Sequence, residues 1–228
     1  MPENDLSPLA ARLCPGSGAT KGTIRQANES LILQAAERVF ARVGFGGATM
    51  AGIAEAAGLP KANVHYYFGS KADLYRTVLD RTLRGWLAPA DAIVPQADPA
   101  TALASYIRGK MQMSAKRPDA SRVFANELLN GAPVLGVLLK TTLRQMVQTK
   151  AAVIDGWIAA GRMAPVDSTH LFFTIWSTTQ TYADFSVQVL AVLGKDHLGE
   201  ADHARATAHV VALVLRGCGL AEKAPPTV

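Results

Sequence analysis

Gln180 follows Trp176 by four residues in WSTTQTYADF, so one turn of helix would set a carboxamide beside an indole. The run Ser177-Thr178-Thr179-Gln180-Thr181 is polar and uncharged, yet apolar stretches flank it on both sides. A carboxamide buried without a partner costs on the order of 1–3 kcal/mol. A ligand or bound water that satisfies it removes that cost, so the run is read as partly lining a small polar pocket. Two other uses stand beside this one. Ser and Thr hydroxyls can bond back to their own helix, and Gln180 can serve a contact between subunits. Nearer the middle of the chain, Phe124, Glu127 and Leu128 share a helix face in PDASRVFANELLNGAP. Glu127 is then either turned inward or solvated.

A second group of chemistry-bearing residues lies in KANVHYYF. Lys61, Asn63, His65 and Tyr66 are polar or amphipathic there, while Val64, Tyr67 and Phe68 suit a core. Asn can pair with an adenine edge and Lys with phosphate oxygens. Thr49 and Lys71 fall at helix starts flanking this element, where both can grip phosphates. Lys21 and Arg25 in the preceding arm can reach a neighbouring groove. A short aromatic-rich helix with one Lys also suits plain packing.

Catalysis finds little support. His65, His170, His197, His203 and His209 stand beside no convincing nucleophile or metal partner, and His209 sits on an apolar helix and reads as packed. No catalytic residue, metal site or cofactor is expected. Cys14 and Cys218 show neither pairing nor metal spacing, which suits a reducing compartment.

The elements that must position these groups are helical. The 228 residues are 49% hydrophobic and 18% charged, enough for one or two folded domains. The net charge is +5, and residues 21–85 hold nine Lys and Arg against five acids. Such a basic block favours polyanions or simply solubility. The start is acidic without a sustained apolar run, and no apolar stretch could span a bilayer. A soluble cytoplasmic protein is expected. Strand-like alternation is absent, and Gly and Pro clusters divide the chain into about nine helices. A mobile tail is expected over residues 1–22, a first domain over 23–70, a second over 71–220 and a short tail over 221–228. The helix beginning at Lys71 could belong to both domains.

Within the first domain, Ile32, Ala35, Ala36, Val39 and Phe40 recur at helical spacing. Thr49 can cap the helix that follows it, and Gly58 ends that helix. Leu59 can plug the core, and Pro60 suits the first turn of the next helix, Lys61 to Phe68. Ser70 caps a fourth. Two short helices joined by a Gly-containing turn make a helix-turn-helix, whose second helix would enter the major groove. Farther on, winding Ser168 to Val192 as one helix gives two buried faces. Leu171, Ile175, Thr178, Tyr182, Phe185 and Val189 suit packing against another subunit together with the last helix. Phe173, Trp176, Gln180, Asp184 and Val187 form the other face.

The stretch TMAGIAEAAGLPKANVHYYFGSKADLY closely resembles the DNA-binding signature of TetR-family transcriptional regulators. Thr49, Ile53, Ala54, Ala57, Gly58, Val64, Tyr67, Phe68, Ser70, Lys71 and Leu74 all match. Two positions depart: Pro60 stands where the family usually has Ser or Thr, and His65 where Tyr is usual. The resemblance implies an all-α fold: a three-helix DNA reader, a larger ligand-binding and dimerisation domain, and a homodimer formed through the last two helices. It implies DNA contacts from Thr49, Lys61, Ala62, Asn63, His65, Tyr66 and Lys71. The segments RPDASRVFANELLNGAP, IDGWIAAGRMAPVD and HLFFTIWSTTQTYADF further resemble the RutR-type pyrimidine-utilisation regulators of that family. That implies a uracil or thymine effector and control of pyrimidine and purine metabolism genes. Gln180 would meet an amide edge of the base, Trp176 would stack on its face, and Glu127 would accept from a ring N–H. Phe124, Trp157 and Phe173 would complete the wall. A TetR-type repressor with a drug-like or acyl effector is the alternative.

Overall fold

The computed structural model describes residues 21–221, and every regular element among them is helical. Helices α1 (Lys21–Gly47), α2 (Met50–Ala57), α3 (Lys61–Phe68) and α4 (Lys71–Leu87) come first. A 3-10 turn, Ala88–Ala92, leads to α5 (Pro99–Lys116) and α6 (Pro118–Leu129). Then α7 (Gly136–Leu138), a π turn (Leu139–Leu143) and α8 (Arg144–Ala159) run on without a break. The chain closes with α9 (Ser168–Asp184), α10 (Ser186–Leu193) and α11 (Glu200–Gly217). The expected tails lie almost wholly outside the described residues, as does Cys14.

Local chemistry explains the reader's boundaries. The apolar stripe Ile32, Ala35, Ala36, Val39 and Phe40 is buried along α1. Gly44 takes φ +70°, a conformation open to glycine, and kinks α1 near its end. Thr49 Oγ1 accepts the Gly52 amide at 3.0 Å and caps α2. Gly58 closes α2 at φ +66°, and Leu59 packs half-buried against the core between helices. Ser70 Oγ accepts the Asp73 amide at 3.2 Å and caps α4.

Two apolar cores result. The first joins α1–α4 with Val123 and Phe124 of α6 and with Ala132 and Leu135 beyond it. The second gathers α5, α8, α9 and α11 around Tyr106, Trp157 and Phe172. Each fully buried large apolar side chain contributes roughly 1.5–3 kcal/mol relative to exposure.

The C-terminal region corrects two expectations. The single helix expected over Ser168–Val192 breaks at Phe185, giving α9 and α10 and more helices than nine. Arg122 fills the break: its guanidinium donates to the Ala183 carbonyl at 3.3 Å and to Ser186 Oγ at 3.2 Å. The phase of the helix also differs. Ile175, expected to face another subunit, is buried within the chain beside Phe172, Thr179 and Ala183. Phe173 and Phe185 are exposed.

Candidate nucleic-acid and effector sites

Helix α3 is held to the first core along one face. Val64 and Phe68 anchor α3 in the first core, and Tyr67 packs against that core half-buried. Lys61, Ala62, His65 and Tyr66 are exposed and Asn63 is half-buried. Tyr66 is 75% exposed and meets the Tyr67 ring edge-on at 5.3 Å. His65 Nδ1 pairs with the Gly69 carbonyl at 2.9 Å, which places the proton on Nδ1. No side chain caps α3, because Pro60 has no hydroxyl to offer. The Asn63 amide turns back to the Pro60 carbonyl at 2.9 Å instead. Thr49 is exposed while it caps α2, and Arg25 is exposed on α1.

Lys71 is more committed than its position suggested. Its ammonium donates to the carbonyls of Phe45 and Ala48 at 2.8 and 2.9 Å and lies over the Phe45 ring. It braces the end of α1 against the start of α4, and two of its three N–H donors are engaged there.

A cavity of about 150 Å³ opens between α4, α5, α6, the π turn and α9. Cavities of about this size admit a single six-membered ring. Leu83, Trp86 and Leu87 form the α4 wall, and Leu139 and Leu143 of the π turn lie in another. Phe124 and Leu128 come from α6, and Trp176 and Gln180 from α9. Trp86 and Phe124 rings lie 5.4 Å apart, tilted by 33°. The indole N–H of Trp176 donates to the Tyr106 hydroxyl at 2.7 Å, which fixes the ring in place. Burial pushes the Tyr106 phenol up to about 12, so it is neutral as it accepts that bond.

The lining is mostly apolar rather than the polar pocket expected from the Ser-Thr run. The hydroxyls of Ser177, Thr178, Thr179 and Thr181 accept no ligand role in this geometry, since each bonds back to a carbonyl of α9. Gln180 alone of the run lines the cavity, and its carboxamide has no hydrogen-bond partner among the described residues.

One lining residue was not anticipated. Lys110 of α5 is only 3% exposed, and its Nζ sits 3.6 Å above the Trp86 ring centroid. Among the described residues its ammonium has no hydrogen-bond acceptor and no paired carboxylate. Burial lowers its proton affinity well below the ordinary lysine value, opposed at longer range by Asp184. Burial raises the Asp184 carboxyl in turn, opposed by a hydrogen bond from Ser121 and by the charges of Lys110 and Arg122. A signal existed in the sequence: Lys110 falls seven residues after Leu103 and three after Ile107, in an otherwise buried stripe of α5.

Three of the expected ligand residues do not line this cavity. Glu127 is buried and turned inward, but its oxygens accept from Tyr75 and from the amides of Val134 and Leu135. Trp157 belongs to the second core and donates to the Pro95 carbonyl at 3.1 Å. Phe173 is 47% exposed, with its ring 5.6 Å from Trp176. Phe124, Trp176 and Gln180 are brought together there. No cluster of His, Cys, Asp or Glu able to hold a metal occurs among the described residues. No described helix is long and apolar enough to cross a membrane.

The reader and the cavity share α4. Its first residue, Lys71, braces α1, Tyr75 bonds to Glu127 of α6, and Leu83 to Leu87 form the cavity wall. Arg117 at the α5–α6 junction pairs with Glu37 of α1, a second tie between the two parts.

Comparison with known proteins agrees with this geometry. Residues 32–78 match the family described as bacterial regulatory proteins, tetR family, and residues 79–221 match the YcdC-like protein C-terminal region. The chain is 40% identical over 205 residues to the HTH-type transcriptional regulator RutR of Escherichia coli strain K12, covering 88% of this chain and 97% of that one. It is equally similar to the RutR of Shigella flexneri, at 40% over the same span. Its fold is similar to that of a bacterial regulatory protein of the tetR family from Rhodococcus RHA1, with a TM-score of 0.67 at 21% identity over 89% of this chain and 100% of that one. It is also similar in fold to the TetR family regulator PfmR from Thermus thermophilus, with a TM-score of 0.61 at 18% identity over 81% and 97% of the two chains.

Proposed function

Because this chain belongs to the TetR family of bacterial regulatory proteins, we propose that it is an effector-responsive transcription factor whose effector is uracil or thymine. It is a transcriptional regulator and a homologue of RutR, not an enzyme. The proposed protein is a homodimer on a near-palindromic double-stranded operator, acting in the cytoplasm on genes of pyrimidine and purine metabolism. Exposed Phe173 on α9 and Leu213 on α11 support a dimer through these two helices. Two readers would then enter successive major grooves roughly 34–36 Å apart. Lys61, Ala62, Asn63, His65 and Tyr66 would meet bases and phosphates, with Thr49 at the flank.

The observation that carries the effector reading is the unbonded Gln180 carboxamide in a ring-sized cavity between Trp86 and Trp176. A pyrimidine base is flat and edged by alternating N–H and C=O groups. Gln180 offers a donor and an acceptor to such an edge, and the indoles offer faces. Effector binding alters operator affinity only if the base binds one conformation of α4 better than another.

The test is thermal unfolding with a panel of nucleobases. Binding to the folded state alone stabilises it by about 2.7 kcal/mol at a hundredfold excess over Kd. A concentration-dependent shift with uracil or thymine, and none with cytosine, is expected. No shift with any base overturns the pyrimidine reading. The mostly apolar lining favours one rival, a drug-like or acyl effector. Gln180→Leu separates the two: a pyrimidine site loses its ligand, while an apolar one keeps it.

A further inference from the structure

We infer that Lys110 is a ligand-binding residue of the cavity, selecting a flat heterocycle that turns a carbonyl oxygen toward its ammonium. The inference deepens the effector reading given above and rests on the same cavity.

The ammonium is nearly completely buried, yet it lacks the carboxylate or carbonyl that such a group requires. Buried charges are found paired or hydrogen-bonded, because the interior cannot replace lost hydration. Here the Trp86 ring face supplies part of that replacement. Asp184 is the opposing charge from α9, but it is held by Ser121 and forms no ion pair with Lys110. Arg122 of α6 also acts on Asp184 and bonds to the Ala183 carbonyl and Ser186. The remaining open side of Lys110 is the cavity itself.

A side chain in this position is costly for the empty protein and useful to the filled one. As an ammonium, Lys110 is a donor only. Whatever fills the cavity must present an acceptor to it, and an amino group there would be refused. Gln180, able to donate and accept, tolerates either order of groups along a ring edge. The two residues together demand a carbonyl at one edge of the ring and an amide-like pair at another. A base with two carbonyls meets both demands, whereas an aminopyrimidine meets Lys110 with only its single carbonyl.

The experiment compares wild type with Lys110→Met, read by melting temperature without ligand and by calorimetric titration with uracil and its single-carbonyl analogues 2-pyrimidinone and 4-pyrimidinone. Lys110→Met is expected to melt higher than wild type when empty and to bind uracil about ten- to a hundredfold more weakly, the loss of one charge-assisted hydrogen bond. Wild type is expected to discriminate against the analogue lacking the carbonyl that meets Lys110, and the variant to lose that discrimination. Lys110→Gln, which restores a neutral N–H donor, should recover part of the affinity. A lower melting temperature for the empty Lys110→Met protein overturns the inference by showing a structural role. So does unchanged uracil affinity in that variant, while the pyrimidine reading would stand. If wild type binds no base, the pyrimidine reading falls, and the ligand-free melting comparison alone decides for or against Lys110.

Discussion

The Tyr75 hydroxyl donates to Glu127 Oε2 at 3.1 Å, while Glu127 Oε1 accepts the Val134 and Leu135 amides at 2.6 and 3.0 Å. One buried carboxylate thereby ties α4 to the turn after α6. The tie also raises the Tyr75 phenol well above its ordinary value, chiefly through burial and then through the neighbouring carboxylate.

Glu127→Gln leaves one oxygen where two accept now, so the Tyr75 O–H loses its acceptor and the Val134 and Leu135 amides lose a charged one. The substitution is expected to destabilise the fold by about 1–3 kcal/mol in chemical denaturation. Uracil affinity of the folded fraction should be unchanged. A selective loss of uracil binding without loss of stability would show instead that Glu127 touches the ligand.

Lys71 and Lys61 should separate in their salt dependence. Lys61→Ala is expected to weaken operator binding and to lower the slope of log K against log salt by roughly one. Lys71→Met removes two bonds to the end of α1, so its melting temperature should fall while the slope stays put. Titrations of labelled operator at several salt concentrations read both. A slope change with Lys71→Met would assign it a phosphate.

The charge on Lys110 predicts a pH signature. Its folded value lies below the ordinary 10.5, so between the two the unfolded chain binds more protons. The destabilisation is full below the folded value and is relieved as pH rises toward the unfolded one. Lys110→Met lacks this dependence. Its melting advantage over wild type should therefore shrink as pH rises through that window. Cys218 and Tyr106, both raised by burial, titrate in the two proteins alike and cancel in the difference. A gap that stays constant with pH counts against a charged Lys110.

Two glycines in neighbouring helices should respond oppositely to alanine. A Cβ at Gly109 would lie 2.7 Å from the Pro89 ring, which cannot swing away. Gly109→Ala is expected to cost about 1–3 kcal/mol through overpacking. At Gly85 the close atom is the mobile end of Met113, at 2.8 Å. Gly85→Ala is expected to gain up to about 1 kcal/mol of helix propensity. Denaturant midpoints of both variants check this.

What the sequence revealed depended on range. Thr49 and Ser70 accept from amides three residues on, and the Gly58 N–H donates to carbonyls of the turn before it, so these helix ends were legible without tertiary knowledge. The stripe on α1 was legible for the same reason. The cavity was legible only in part. Gln180 and Trp176 lie one turn apart on one helix, but Trp86 and Lys110 reach them from α4 and α5 through packing that no local pattern records. Trp157 was implied as a wall by resemblance alone; its N–H donates to the Pro95 carbonyl and its ring packs in the second core. The two faces of α9 were legible in part: Trp176 and Gln180 share the cavity, whereas Ile175, placed on the other face, is buried within the chain. The helix stops where the Phe185 backbone leaves the helical region and Arg122 bonds to Ala183 and Ser186 on either side of it.

The first core has a consequence for anyone who would graft this reader elsewhere. Ile32, Phe40 and Leu74 share their apolar cluster with Val123, Phe124, Ala132 and Leu135. A fragment cut after the reader would leave that seam wet, and its Glu37 without Arg117. Chimaeras built by swapping readers should therefore carry the α6 surface along with the helix-turn-helix. In engineering terms, the portable unit is discontinuous in sequence.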